Sequence, residues 1–217
     1  MGNEKIKITY TRATAEIEVK KSKFIASVYP IKSEEEAQDF INKKKKECWN
    51  AAHNCYAYVV GERMKIQRFS DDGEPGGTAG KPILDILLGE EIHNTLIIVT
   101  RYFGGTLLGT GGLIRAYASA AKEGLANSEI IEKRKGILIR LSLEYTDVGK
   151  VQYIIGNASI PILKTVYESD IAMELYLSEQ ESKELMDEIV ESTAGRVKWD
   201  IIEECWFGIF KNERREV

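Results

Sequence analysis

Four consecutive apolar residues, Leu96-Ile97-Ile98-Val99, constrain this 217-residue chain more than any other stretch. A strand with one face in water alternates apolar and polar side chains, whereas an unbroken run belongs to a strand buried on both faces. The run therefore predicts an interior strand. Other segments alternate instead: Ile6, Ile8 and Tyr10, then Ala15, Ile17 and Val19, predict two half-buried strands joined by a short polar turn. Residues 24–28 form a third apolar stretch. Ser33 followed by Glu36 reads as a capping box, and Ala37, Phe40, Ile41 and Cys48 mark one face of the helix it opens. Residues 56–60 and 64–69, linked by Gly61-Glu62-Arg63, predict a hairpin.

A loop rich in Gly and Pro, residues 71–77, leads into a helix over 78–88, with Pro82 in its first turns where proline is tolerated. His93 stands in a polar stretch and is expected at the surface. After the apolar strand, glycine-rich residues 104–112 open a helix through Leu113, Tyr117, Ala121 and Leu125. The charged, glycine-ended segment 132–136 reads as a linker. Beyond it the expected order is strand 137–145, helix 148–159, strands 162–167 and 172–177, helix 181–194 capped by Ser178, and strand 197–210. That is βαββαβ, the ferredoxin-like order. The fold class is thus α+β, with domains over 1–134 and 135–217.

Charge supports the division. The net charge of −4 is made of +2 over residues 1–134 and −6 over 135–217. Bulk charge therefore does not mark a nucleic-acid binder; such binding would fall to the first half and rely on a local patch. No apolar run approaches the roughly 20 residues of a membrane helix, and the alternating N-terminus reads as a strand, not a signal peptide. Three cysteines without a Cys-x-x-Cys pair fit a reducing, cytoplasmic setting.

Two loops carry candidate chemistry. In the first, a strand ends in Arg101-Tyr102-Phe103, then Gly104, Gly105, Gly109, Gly111 and Gly112 lead into a helix bearing Arg115. Free N–H groups at a helix start suit an anion, and the two arginines add charge. The spacing is neither a Walker A loop nor a dinucleotide fingerprint. Close packing of strand on helix explains the same glycines equally well. In the second, Asp71, Asp72 and Glu74 offer carboxylates for a cation or for acid–base work, with His53 as a neighbour. Asp and Gly also form turns ahead of helices for structural reasons alone. Residues 43–46 are four consecutive lysines, suited to a helix C-terminus or to nucleic acid. Tyr102 and Phe103 are candidates for base stacking beside Arg101.

The run from Asp71 to Leu125 resembles the Impact/YigZ family signature, in Asp-Gly-Glu-Pro (72–75), Thr-Ala-Gly-Lys-Pro (78–82), Arg-Tyr-Phe-Gly-Gly (101–105), Leu-Gly-Thr-Gly-Gly-Leu (108–113) and Arg-Ala-Tyr (115–117). Lys-Ser-Lys-Phe-Ile-Ala (21–26) and His-Asn-Cys-Tyr-Ala-Tyr (53–58) fit its upstream pattern. The resemblance implies an N-terminal domain of the ribosomal-protein type, similar to domain four of elongation factor G. It also implies a ferredoxin-like C-terminal domain similar to that factor's domain five. Eukaryotic relatives act in translational control by competing for an activator of a starvation-responsive kinase, but they carry a different second domain. The expected function is accordingly a translation-associated binding protein. It would contact RNA, the ribosome or a ribosome-bound regulatory protein through the first domain, with no catalytic residue, metal or cofactor assigned. The alternatives are an enzyme on a phosphorylated or nucleotide substrate using Asp71, Asp72 and Glu74, and a protein-interaction module.

Overall fold

The computed structural model describes residues 5–211 and 213–217. The chain divides into two compact units, the first ending at Ile131 and the second running from Glu132 to Val217. Both mix helices with sheet, as α+β proteins do. Among the described residues no helix is long and apolar enough to cross a membrane.

The first unit contains β1 (Lys5–Thr9), β2 (Ala13–Val19), β3 (Ser22–Pro30), α1 (Glu34–Glu47), β4 (His53–Val60), β5 (Ile66–Ser70), α2 (Gly80–Gly89), β6 (Ile92–His93), β7 (Thr95–Tyr102) and α3 (Thr110–Ala126). Its main sheet has the order β2-β3-β7-β4-β5, so the strand holding the apolar run is central. Odd and even positions of that run enter different cores. Ile97 and Val99 pack with Phe24, Ile83, Leu87 and Tyr117, beneath α2 and α3. Leu96 and Ile98 pack with Ala37, Ile41 and Tyr58, beneath α1. Each such side chain taken fully from water is worth about 1.5–3 kcal/mol, which holds the strand between its two layers. Strand β1 does not join β2 in a hairpin; it runs parallel to β6, with Lys7 opposite Ile92.

Helix α1 begins where Ser33 Oγ accepts the Glu36 N–H. The capping is only half a box, because Glu36 turns outward to the Lys32 N–H at 2.7 Å. His93 is buried, not exposed, with Nδ1 3.1 Å from the Gly61 carbonyl oxygen. Burial there supplies a hydrogen bond to the turn between β4 and β5, a need that polar neighbours in sequence do not reveal.

The second unit is built from β8 (Ile130–Leu143, which starts at the boundary), α4 (Val148–Asn157), β9 (Lys164–Tyr167), β10 (Ile171–Leu177), α5 (Glu179–Ser192), β11 (Lys198–Phe210) and β12 (Glu213–Glu216). The strand order β11-β8-β10-β9 is that of a ferredoxin-like sheet, and β12 extends it beyond β11. Ile139, Leu141, Met173 and Leu175 face Val151, Ile155, Leu185 and Ile189 of the helices. The segment expected as a linker, 132–136, is instead part of β8, paired residue by residue with 205–209 of β11. Its glycine serves contact and not flexibility. A Cβ on Gly136 would stand 2.2 Å from the Leu177 carbonyl oxygen and 2.7 Å from the Phe207 ring.

Helix α5 starts with a complete capping box between Ser178 and Glu181. The same Glu181 carboxylate receives Arg214 of β12 in two bonds, 2.6 and 2.9 Å. Burial alone would raise its pKa. The bonds and charge of Arg214, with the Ser178 N–H and hydroxyl, outweigh that and hold it below the ordinary 4.5. A depressed carboxyl pKa contributes stability that is present above the unfolded-state value and lost as pH falls through the folded one. Urea unfolding of the second unit should therefore require less denaturant as pH falls below the ordinary 4.5. The Glu181→Gln protein should be weaker at neutral pH and show a flatter profile from pH 5 to 3. An unchanged profile would assign the acid sensitivity elsewhere.

Candidate functional site

The two motif loops meet at one end of the first sheet. The register places His53 of β4 and Phe24 of β3 on either side of Arg101 near the end of β7. The β2–β3 turn, the α1–β4 connection, the β5–α2 loop and the β7–α3 loop thus gather around that arginine.

Arg101 points inward and is only 5% exposed. Its NH1 donates to Glu74 Oε1 at 2.6 Å, and Tyr117 donates its hydroxyl proton to the same oxygen at 2.7 Å. The guanidinium carbon lies 5.4 Å from the Phe24 ring centroid and 5.6 Å from that of Phe103. Charged groups survive burial only when paired and hydrogen-bonded, and this trio satisfies that condition for Glu74. Of the three Arg101 side-chain nitrogens, Nε finds no acceptor among the described residues.

The other two carboxylates are engaged as well. Asp71 Oδ1 accepts the Ala79 and Gly80 N–H groups at 3.0 and 2.8 Å, and Oδ2 accepts that of Gly77 at 2.8 Å. It thereby occupies the N-terminus of α2, which lacks a side-chain cap at Ala79 itself. Asp72 stands in the left-handed region, at φ 45°. Its Oδ2 accepts the Asn54 N–H and its Oδ1 accepts Lys45 Nζ, both at 2.6 Å. His53 donates Nδ1–H to the Asp72 carbonyl at 2.8 Å, and its Nε2 lies 3.9 Å from Glu74 Oε2. Beneath them, Cys55 donates to the Asp71 carbonyl at 3.0 Å. Burial, with the carboxylates of Glu74, Asp72 and Asp71, pushes its thiol up to about 12 despite the neighbouring Tyr117 hydroxyl. A thiol so held is protonated and unreactive at neutral pH. Burial pushes the Tyr117 phenol up too. Among the described residues no three His, Cys, Asp or Glu side chains converge as a metal site.

The glycine-rich loop divides in function. Gly104 is a packing residue: a Cβ there would fall 2.0 Å from the Lys21 carbonyl carbon. Its N–H donates to Ser22 Oγ at 3.1 Å, and Arg101 NH2 reaches the same oxygen at 3.5 Å. Gly105, Gly109 and Gly111 are exposed, Gly112 is partly so, and α3 begins behind Gly109 with no side-chain cap. Arg115 is exposed on the first turns of α3. With Lys20, Val19, Leu108, Gly112 and Ala116 it lines a shallow groove of about 180 Å³. Phe103 is 52% exposed and Leu107 83%, while Tyr102 is half-buried.

Two residues were missed from the sequence. Ser22 is fully buried under Gly104 and joins the β2–β3 turn to the β7–α3 loop. Trp49 is 82% exposed in the connection whose Ala52 N–H donates to the Arg101 carbonyl. An isolated tryptophan in a charged stretch has no periodic signal; only its exposure reveals it. Of the lysine run, Lys45 is spent on Asp72, while Lys43 and Lys46 face solvent.

Removing one member of a buried ion pair strands the other, at a cost of about 3–5 kcal/mol. Arg101→Ala and Glu74→Ala should each lower stability on that scale in urea unfolding. Tyr117→Phe, losing one hydrogen bond to a charged group, should cost about 1.5–3 kcal/mol. An Arg101→Met/Glu74→Met double variant should recover much of the loss of either single change. Simple additivity of the two would contradict the pairing.

Two family models match separate stretches of the chain. Residues 20–125 match the model of the Impact N-terminal domain, and residues 141–196 match a domain of unknown function, DUF1949. The IMPACT family member YvyE of Bacillus subtilis is 41% identical over 181 residues, 83% of each chain. YigZ of Escherichia coli, also an IMPACT family member, is 33% identical over 191 residues, covering 86% of this chain and 93% of that one. A crystal structure described as that of an hypothetical protein superimposes with a TM-score of 0.59 at 31% identity, over 92% of this chain and 98% of the other. With one relative 41% identical over 83% of its length and another 33% identical over 93%, the chain belongs to the IMPACT family.

Proposed function

We propose that this protein acts in translation as a binding protein. Its contact with RNA, the ribosome or a ribosome-bound partner is made by the loop end of the first unit. One contrast carries the reading. The acidic and nucleophilic groups of the motifs are turned inward and engaged, whereas the cationic and aromatic groups around them are presented to solvent. Glu74 holds Arg101 and Tyr117, Asp71 holds the α2 terminus, and Asp72 holds Asn54 and Lys45. Outside stand Arg115, Lys20, Lys21, Phe103 and Trp49. Positive side chains beside exposed rings are the elements by which a phosphate backbone and its bases are held.

The competing reading routes acid–base chemistry through the acidic loop. It asks Glu74 to leave its bonds to buried Arg101 and Tyr117, and it cannot draw on the Cys55 thiol, raised to about 12, as a nucleophile. The binding reading asks nothing of either group. Free cysteines at 48, 55 and 205 accord with a reducing compartment such as the cytoplasm.

Among the anion-site residues first singled out, the reading rests on Arg115 and the exposed start of α3. Arg101 acts from behind by fixing the loop. Co-sedimentation with ribosomes at several salt concentrations is the test. Each single-strand phosphate contact contributes about −0.7 to the slope of log K against log salt. Arg115→Ala should weaken binding to all RNA sequences alike and make the slope shallower by about that one contact, while melting like the parent. A variant that melts normally and binds ribosomes as tightly as the parent would overturn the proposal.

A further inference from the structure

We infer that the outer edge of β11, over residues 198–205, takes up an extended basic peptide segment as an additional strand. This surface belongs to the second unit and is independent of the one discussed above. On its inner side β11 pairs with β8 from Lys198, opposite Ser142, to Ile209, opposite Glu132. On its outer side β12 pairs only with Phe207, Gly208, Ile209 and Phe210, and the Val217 N–H reaches the Trp206 carbonyl at 3.2 Å. Among the described residues no strand pairs with the outer side of 198–205. The outward N–H and C=O groups there form a template for another chain.

The side chains specify which chain. Residues 198–204 are all exposed, and Trp199, Ile201 and Ile202 are 40, 54 and 43% exposed. An edge adapted only to water would be charged throughout; three apolar residues within four positions are surface kept for a partner. Residues 198–204 contain three carboxylates, Asp200, Glu203 and Glu204, and one cation, Lys198, in a half of the chain that carries −6. Two copies laid edge to edge would bring those carboxylates together. Charge therefore works against a second copy, while a strand alternating Lys or Arg with apolar residues meets opposite charge. Its backbone would supply the affinity, and Trp199 and Ile201 the apolar contact.

The test is amide hydrogen exchange of the full chain, read by mass spectrometry with three peptides matched in length to residues 198–205. One alternates Lys with Val, one replaces the valines by proline at equal charge, and one alternates Glu with Val. The Lys-Val peptide should slow exchange within 198–205, less so as salt rises, and the other two should leave it unchanged. Glu203→Lys/Glu204→Lys, at exposed positions, should raise the half-protecting concentration of that peptide about tenfold or more. Equal protection by the proline peptide would reduce the effect to charge alone and overturn strand addition. Absence of protection by any peptide would overturn it too. Slow exchange at 198–205 without peptide, growing with protein concentration, would make a second copy the occupant and refute the basic segment.

Discussion

The carboxylate of Glu74 is the constraint on which the loop end of the first unit depends. It comes from the loop between β5 and α2, but its partners come from the end of β7 and the second turn of α3. A buried carboxylate cannot tolerate the loss of these partners, so the three elements are held in one arrangement. Asp71 and Asp72 extend the same logic to the α2 terminus, to β4 and to α1. Through Arg101 and Gly104 the constraint reaches Ser22 and the β2–β3 turn. The polar residues of this loop thereby tie α2, α3, β4, β7 and α1 to one another.

How much of this was legible in the sequence depended on the kind of signal. Strand β7 was legible because both its faces are apolar, and α5 because the Ser178–Glu181 box is a local pattern. The charged segment 132–136 was read as a linker from composition, but pairing with β11 is a tertiary fact that composition does not carry. His93 was placed outside for the same reason: its polar neighbours are local, and the Gly61 carbonyl it satisfies lies 32 residues away. Strands as short as β6, two residues, have no period to detect.

The motifs singled out the loops, yet left open which side chains turn inward. Arginine in a motif reads as a phosphate contact whether it sits at the surface or beneath it. Here the alternation of β7 sends Arg101 to the same face as Val99 and Ile97, under α2 and α3, while Arg115 on α3 stays outside. A buried arginine needs a carboxylate partner, and Glu74 supplies it. Asp72 is taken by the backbone of Asn54 and by Lys45, which also removes one lysine from the basic run.

The two halves of the chain differ in the chemistry they expose, and this separates the two proposals. Residues 1–134 carry +2 and show lysines, Arg115 and aromatic rings around one loop end, which the first proposal assigns to anions. Residues 135–217 carry −6 and hold the β11 edge, unpaired among the described residues and lined by Asp200, Glu203 and Glu204, which the second proposal assigns to a basic segment. Salt weakens both attractions, because exposed charges are screened over about 8–10 Å at ordinary ionic strength. Salt dependence alone therefore does not tell the surfaces apart. The distinguishing property is the backbone. Phosphate contacts by Arg115 or Lys20 need no particular conformation of the protein partner, whereas strand addition fails when the partner lacks N–H groups to donate. A partner bearing both anionic RNA and basic extended protein segments would engage both surfaces by separate rules, and loss of one charge cluster would leave the other interaction intact.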